Sequence, residues 1–218
     1  MAGARPLIWA GLGIVLAIVL VAGSIEILKP GAESPADEAG PPALAAPGHY
    51  GQVPRFSLLD SRGARITRDD LAGRFWIADF IFTRCTGVCP TLTARMASLT
   101  RSLADVPQVR YVSFSVDPSF DTPEVLGRYA AQNAGEGWIF LTGGTDEIYR
   151  LVGQGFRLNV ASGGPPETAS GELVTHSDRF VIVDPDLNIR GYYHGTDEAE
   201  VDRLERDLRA LIREHSSL

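Results

Sequence analysis

Apolar and polar positions divide the chain into three unequal stretches. Residues 6–25 carry no charge, and their centre, from Leu7-Ile8-Trp9 to Leu20-Val21, is almost wholly apolar. At about 1.5 Å per residue such a helix spans roughly 30 Å, the hydrocarbon thickness of a bilayer. Arg5 precedes the run, and Glu26 and Lys29 follow it. With the starting amine, Arg5 favours the amino end in the cytoplasm and the body outside. We read residues 1–28 as an uncleaved anchor. The alternative is a cleaved signal peptide with Ala22-Gly23-Ser24 as its site, for which the apolar core is long. Residues 29–48 then contain five prolines, three glycines and six alanines. That composition cannot bury a core and is expected to form an extended, mobile tether.

The remaining stretch, residues 49–218, alternates strand and helix patterns and is long enough for one sizeable core. Residues 56–59 and 64–66 flank Asp60-Ser61-Arg62-Gly63, a hairpin with a glycine-containing turn. Residues 75–82, FWIADFIF, form a nearly continuous apolar run, as in a strand buried on both faces. Leu92, Met96, Leu99 and Leu103 recur at helical spacing over residues 90–103. Residues 109–116 predict a second buried strand. Thr122-Pro123-Glu124 has the order of a helix start: cap, proline at the first position, acid in the first turn. Residues 138–141 predict a short strand and 145–152 a short helix. Residues 180–183 and 189–193 flank 184–188 as a second hairpin, and an amphipathic helix runs from about 197 to 214. This order predicts an α/β fold with a mixed central sheet, the order of a thioredoxin-like domain.

Composition narrows the function. The net charge is −7 and no Lys/Arg-rich run appears, so nucleic-acid binding has no electrostatic footprint. The two cysteines, Cys85 and Cys89, exclude a disulfide-dense scaffold and a four-cysteine zinc site. They lie where the strand 75–82 leaves the sheet and a helix begins at Pro90. Ligand sites of open α/β sheets gather at that edge. A helix start also favours thiolate, and Arg84 adds to this if it turns inward. Their three-residue gap, Thr86-Gly87-Val88, lets both sulfurs converge on one external point, and two soft sulfurs suit Cu(I) or half of a zinc site. A small structural disulfide in an oxidising compartment is the plainer use of the pair.

A third ligand has four candidates. His49 lies at the tether junction and His215 near the tail, both expected in solvent. His176 lies in Val174-Thr175-His176-Ser177, after a Gly/Pro/Ser-rich stretch and just before a strand. His194 ends the next strand and is expected near the far side of the hairpin. Asp117 and Asp121 are expected in turn and cap duty, although their carboxylates could face the metal edge. Asp79, inside the apolar strand, is either a buried acid beneath the cysteines or solvated. Trp76, Trp138, Tyr192 and Tyr193 read as core or surface aromatics.

Residues 80–85 with Cys89-Pro90, then Phe114-Ser115-Val116-Asp117-Pro118, then Asp121-Thr122-Pro123-Glu124-Val125-Leu126, then His176-Ser177 before a strand closed by Asp184-Pro185, together resemble the Sco/SenC family. The resemblance runs from about residue 50 to 214. It implies a thioredoxin-like, membrane-anchored copper protein of the bacterial inner membrane that faces the periplasm. Such a protein helps assemble the dinuclear copper site (CuA) of cytochrome c oxidase subunit II. Residue by residue, it implies a copper ion held by Cys85, Cys89 and His176. One departure is visible: many members carry Pro-Asp after the first cysteine, where this chain has Thr86-Gly87.

Three functions compete on these residues. The first is a metallochaperone rather than an enzyme. The second is a thiol–disulfide oxidoreductase with Cys85 as attacking thiol and Cys89 as resolving thiol. The third is a peroxide-reducing enzyme. It is disfavoured at Cys85, where Thr83 stands two residues before the cysteine and not the three of a Thr-x-x-Cys pattern.

Overall fold

The computed structural model describes residues 47–158 and 177–217. The anchor read at 1–28, nearly all of the tether at 29–48, and His176 lie outside the described residues. Among the described residues no helix is long and apolar enough to cross a membrane.

Among the described residues seven strands form one mixed sheet. They are β1 (Ser57–Asp60), β2 (Arg65–Thr67), β3 (Phe75–Ile81), β4 (Val109–Ser115), β5 (Trp138–Thr142), β6 (Arg179–Val183) and β7 (Ile189–His194), and their order is β2-β1-β5-β4-β3-β6-β7. The central strands β3, β4 and β5 are parallel, with Phe80 opposite Phe114 and Phe114 opposite Leu141. The outer pairs are antiparallel. The β1–β2 hairpin turns at Asp60, whose carboxylate accepts from the N–H groups of Arg62 and Ala64. Gly63 completes the turn at φ 79°, a conformation that suits glycine.

Four α-helices are described: α1 (Cys89–Ser102), α2 (Pro123–Asn133), α3 (Thr145–Arg150) and α4 (Glu198–His215). The α3 helix runs on as a π-helical turn over Leu151–Gly155. Thr122 caps α2, its side chain accepting from the Val125 N–H, with Pro123 at the start as expected. Asp197 caps α4 in the same way.

Every residue of β3 is buried, because it is covered on both faces. Phe75, Ile77 and Ile81 face a core shared with Leu92, Met96, Leu126, Phe140, Leu204 and Leu208, which belong to α1, α2, β5 and α4. Trp76, Ala78 and Phe80 face the opposite core with Phe114, Ile148, Leu151 and Phe156. Phe80 stacks on Phe114 at 5.6 Å and meets Phe156 edge-on at 5.0 Å. Trp76, Trp138 and Tyr193 are core residues. The result is the α/β fold with a mixed sheet expected of a thioredoxin-like domain.

Candidate metal centre

The parallel strands β3 and β4 leave the sheet at the same edge, and the segments just past their ends form the candidate site. After Ile81 the chain turns through residues 82–88, where the Cys85 N–H donates to the Phe82 carbonyl at 3.2 Å. Val88 is the N-cap of α1, so Cys89 occupies its first turn with Pro90 next to it. Both cysteines are free; Cys85 is half-buried and Cys89 is buried.

A position at a helix start leads to an expectation of thiolate. At Cys89 burial wins instead and pushes the thiol up to about 12, and the neighbouring Cys85 thiol adds to the effect. The Phe82 backbone N–H, which points at the sulfur, opposes it. Arg84 does not turn in to help. Its Nε donates to the Asp117 carboxylate at 2.6 Å, and its guanidinium lies 5.0 Å from the centre of the Phe120 ring.

Asp79 resolves to the buried alternative. It is fully buried, lies on the same cysteine-side face of β3 as Ile77 and Ile81, and among the described residues neither carboxylate oxygen has a hydrogen-bond partner. Burial raises its pKa to about 7; Ser113, opposite it in register, pulls the other way. The Ser113 hydroxyl also accepts from Trp138 Nε1 at 2.8 Å. Tyr129 completes this polar underside, sharing a 2.7 Å hydrogen bond with the Thr93 hydroxyl.

The histidines separate cleanly. His49 and His215 are exposed, as expected, although His215 meets Phe75 edge-on at 5.7 Å. His194 lies at the open end of the β6–β7 hairpin, away from its 184–188 turn. There its Nδ1 is 2.9 Å from the Asp178 carboxylate, which also accepts from the Thr196 hydroxyl. Because β6 runs antiparallel to β3, Asp178 and the start of β6 lie at the end of β3 that leads to Cys85. His176 precedes that start by three residues. Among the described residues, no group of three or more His, Cys, Asp or Glu side chains could hold a metal ion.

Of the two acids after β4, one keeps its expected role and the other departs from it. Asp117 does serve the turn, its carbonyl accepting from the N–H groups of Phe120 and Asp121. Asp121 does not cap α2, since Thr122 does so. It accepts from the N–H and hydroxyl of Thr83 and from the Ser115 hydroxyl. Thr83 and Ser115 fall within the motifs that carry the family resemblance, but sequence reasoning assigns neither a role.

The SCO1/SenC family profile matches residues 45–213. The chain belongs to this family. A SCO1 protein homolog of Bacillus subtilis (strain 168) is 34% identical over 163 residues, covering 73% of this chain and 82% of that protein. Of three longer mitochondrial relatives the chain covers only 50%, 62% and 59%. The structure of BsSco is described as showing a disulfide switch in a member of the Sco family of cytochrome c oxidase assembly proteins. It matches with a TM-score of 0.65 at 33% identity, over 77% of this chain and 96% of that one. Arabidopsis thaliana ScoI, solved with copper bound, matches with a TM-score of 0.64 at 28% identity, over 75% and 99% of the two chains. This SCO1/SenC chain therefore shares its fold with both a copper-bound and a disulfide-switching relative.

Proposed function

We propose that the chain is a copper-carrying assembly factor that holds one copper ion through Cys85, Cys89 and His176. It passes the ion to the CuA site of cytochrome c oxidase subunit II. Copper is cargo here, released by exchange onto a partner's own soft ligands. The observation that carries this reading is the free cysteine pair at the β3–α1 junction of a SCO1/SenC chain. Two sulfurs and one imidazole suit Cu(I). The arrival of β6 at the same edge supports His176, and the copper-bound Arabidopsis relative supports the ion. We place the body on the periplasmic side of a bacterial inner membrane, with residues 1–28 as its anchor and 29–48 as its tether.

A Cu(I) titration of the reduced full-length chain in detergent, read by copper-edge absorption, tests the ligand set. One equivalent should bind with sulfur and nitrogen donors. Cys85→Ser with Cys89→Ser should abolish binding, and His176→Ala should weaken it at least tenfold. His194→Ala should change it less than threefold, because that ring is engaged by Asp178. Stoichiometric binding without the cysteines would refute the site, and equal losses from the two histidine variants would refute the choice of His176.

The half-buried Cys85 beside a buried Cys89 also supports a second reading, reduction of a partner's disulfide. Cys85 thiolate attacks one partner sulfur and expels the other. Cys89 then attacks the mixed disulfide, leaving the partner as a dithiol and this chain as a Cys85–Cys89 disulfide. The disulfide switch described for BsSco fits that exchange. Turnover of a partner disulfide by the copper-free chain would favour this reading over carriage.

A further inference from the structure

The two residues immediately before Cys85 are each held by a carboxylate from the exit of the neighbouring strand. Asp121 is fully buried, yet among the described residues its three donors lie at strand exits and none in the α2 helix that follows it. The Thr83 N–H reaches it at 3.0 Å and the Ser115 hydroxyl at 2.6 Å, with the Thr83 hydroxyl as the third donor. Asp117 takes Arg84 Nε at 2.6 Å and the Ser119 hydroxyl at 3.1 Å. Val116 N–H donates to the Ile81 carbonyl at 2.9 Å, so the two exits are tied at their base as well. The cysteine loop is therefore pinned to the segment that follows β4 at consecutive residues up to the first cysteine, while Cys89 is fixed independently by α1.

We propose that Asp121, acting through Thr83, is a positioning residue that sets where Cys85 stands relative to Cys89. A buried carboxylate is far less costly where its hydrogen bonds are filled, and here they are filled by the segment that carries the thiol. Releasing Thr83 widens the range of positions open to Cys85, which lowers its effective concentration at Cys89. The inference rests on the reading of the cysteine pair as the working site and concerns the chain without metal.

The test uses the reduced, metal-free full-length chain in detergent. Two quantities are measured. One is the equilibrium with glutathione, in which the protein dithiol and one oxidised glutathione give the Cys85–Cys89 disulfide and two reduced glutathiones. The other is the rate of alkylation at each cysteine by iodoacetamide, resolved by mass spectrometry. Asp121→Ala should lower the disulfide-forming equilibrium constant about tenfold and speed Cys85 alkylation severalfold. Thr83→Val should give most of the same change. The double variant should go no further than Asp121→Ala, because both remove one coupling. A lowered melting temperature with both readouts unchanged would mean a structural role only and would overturn the proposal, as would additive effects in the double variant. Should Asp121→Ala not fold, Asp121→Asn and Thr83→Val carry the test, and wild-type values in both would overturn it equally. Neither measurement contains copper, so a failure to bind copper would remove the carrier reading and leave this one standing.

Discussion

At the residue scale, Asp79 is the group least at ease in the fold. Its folded pKa of about 7 lies above the usual carboxylate value of 3.8. The folded state therefore keeps a proton that the unfolded state has lost between those limits, and stability falls as pH rises from about 4 to 7. At about 1.4 kcal/mol per pH unit, the penalty approaches roughly 4 kcal/mol above pH 7. Asp79→Asn should remove it: the variant matches the wild type near pH 4 and exceeds it by several kcal/mol at pH 8. Urea denaturation of the reduced, metal-free chain at pH 4, 6 and 8 is the check, and parallel profiles for the two proteins would contradict the assignment. Legibility at this scale is uneven. Cys85 and Cys89 stand out because their spacing and helix start are local in the chain. The elevated Cys89 thiol does not, because burial is set by residues far away in sequence. The grip of Asp121 on Thr83 joins positions 38 apart and becomes visible only once β3 and β4 are known to be parallel neighbours.

At the scale of elements, the strands and helices are legible wherever pattern and punctuation agree. The fully buried and nearly all-apolar β3, the Thr122-Pro123 start of α2 and the two hairpins all stand where the pattern puts them. The segment after β5 departs: α3 ends at Arg150 and the chain continues as a π-helical turn, a change of hydrogen-bond register that side-chain periodicity does not report. Close packing between elements is likewise hidden. Gly195, where β7 gives way to α4, has no room for a side chain. A Cβ there would stand 2.5 Å from Leu92 Cδ2 and 3.0 Å from the Phe180 ring, and both of those residues are fully buried. Gly195→Ala should therefore destabilise the fold by about 1–3 kcal/mol, as overpacking does. A denaturation midpoint equal to the wild type's would show that α1 and β6 yield at no measurable cost.

For the whole molecule, the proposed sidedness is open to a direct check. With alkaline phosphatase fused after residue 218, cells should show phosphatase activity, and a reporter that works only in the cytoplasm should be silent at the same point. The reverse pattern would put the cysteines in a reducing compartment and remove the reason for expecting carriage there. Residues 48–53, which lead into the body, have a further consequence. They run beside β7, with Gly48 N–H donating to the Arg190 carbonyl, Tyr50 to Ile189, and Val53 to Leu187, while Ile189 N–H donates back to Gly51. Without them the outward backbone groups of Ile189 and Arg190, where the last strand begins, would be left open, a template for the strand of another molecule. At the other margin β2 is three residues long and begins with Arg65, a short and charged border. The sheet thus guards itself against edge-to-edge aggregation, and on one side the guard is the chain's own lead-in to the body.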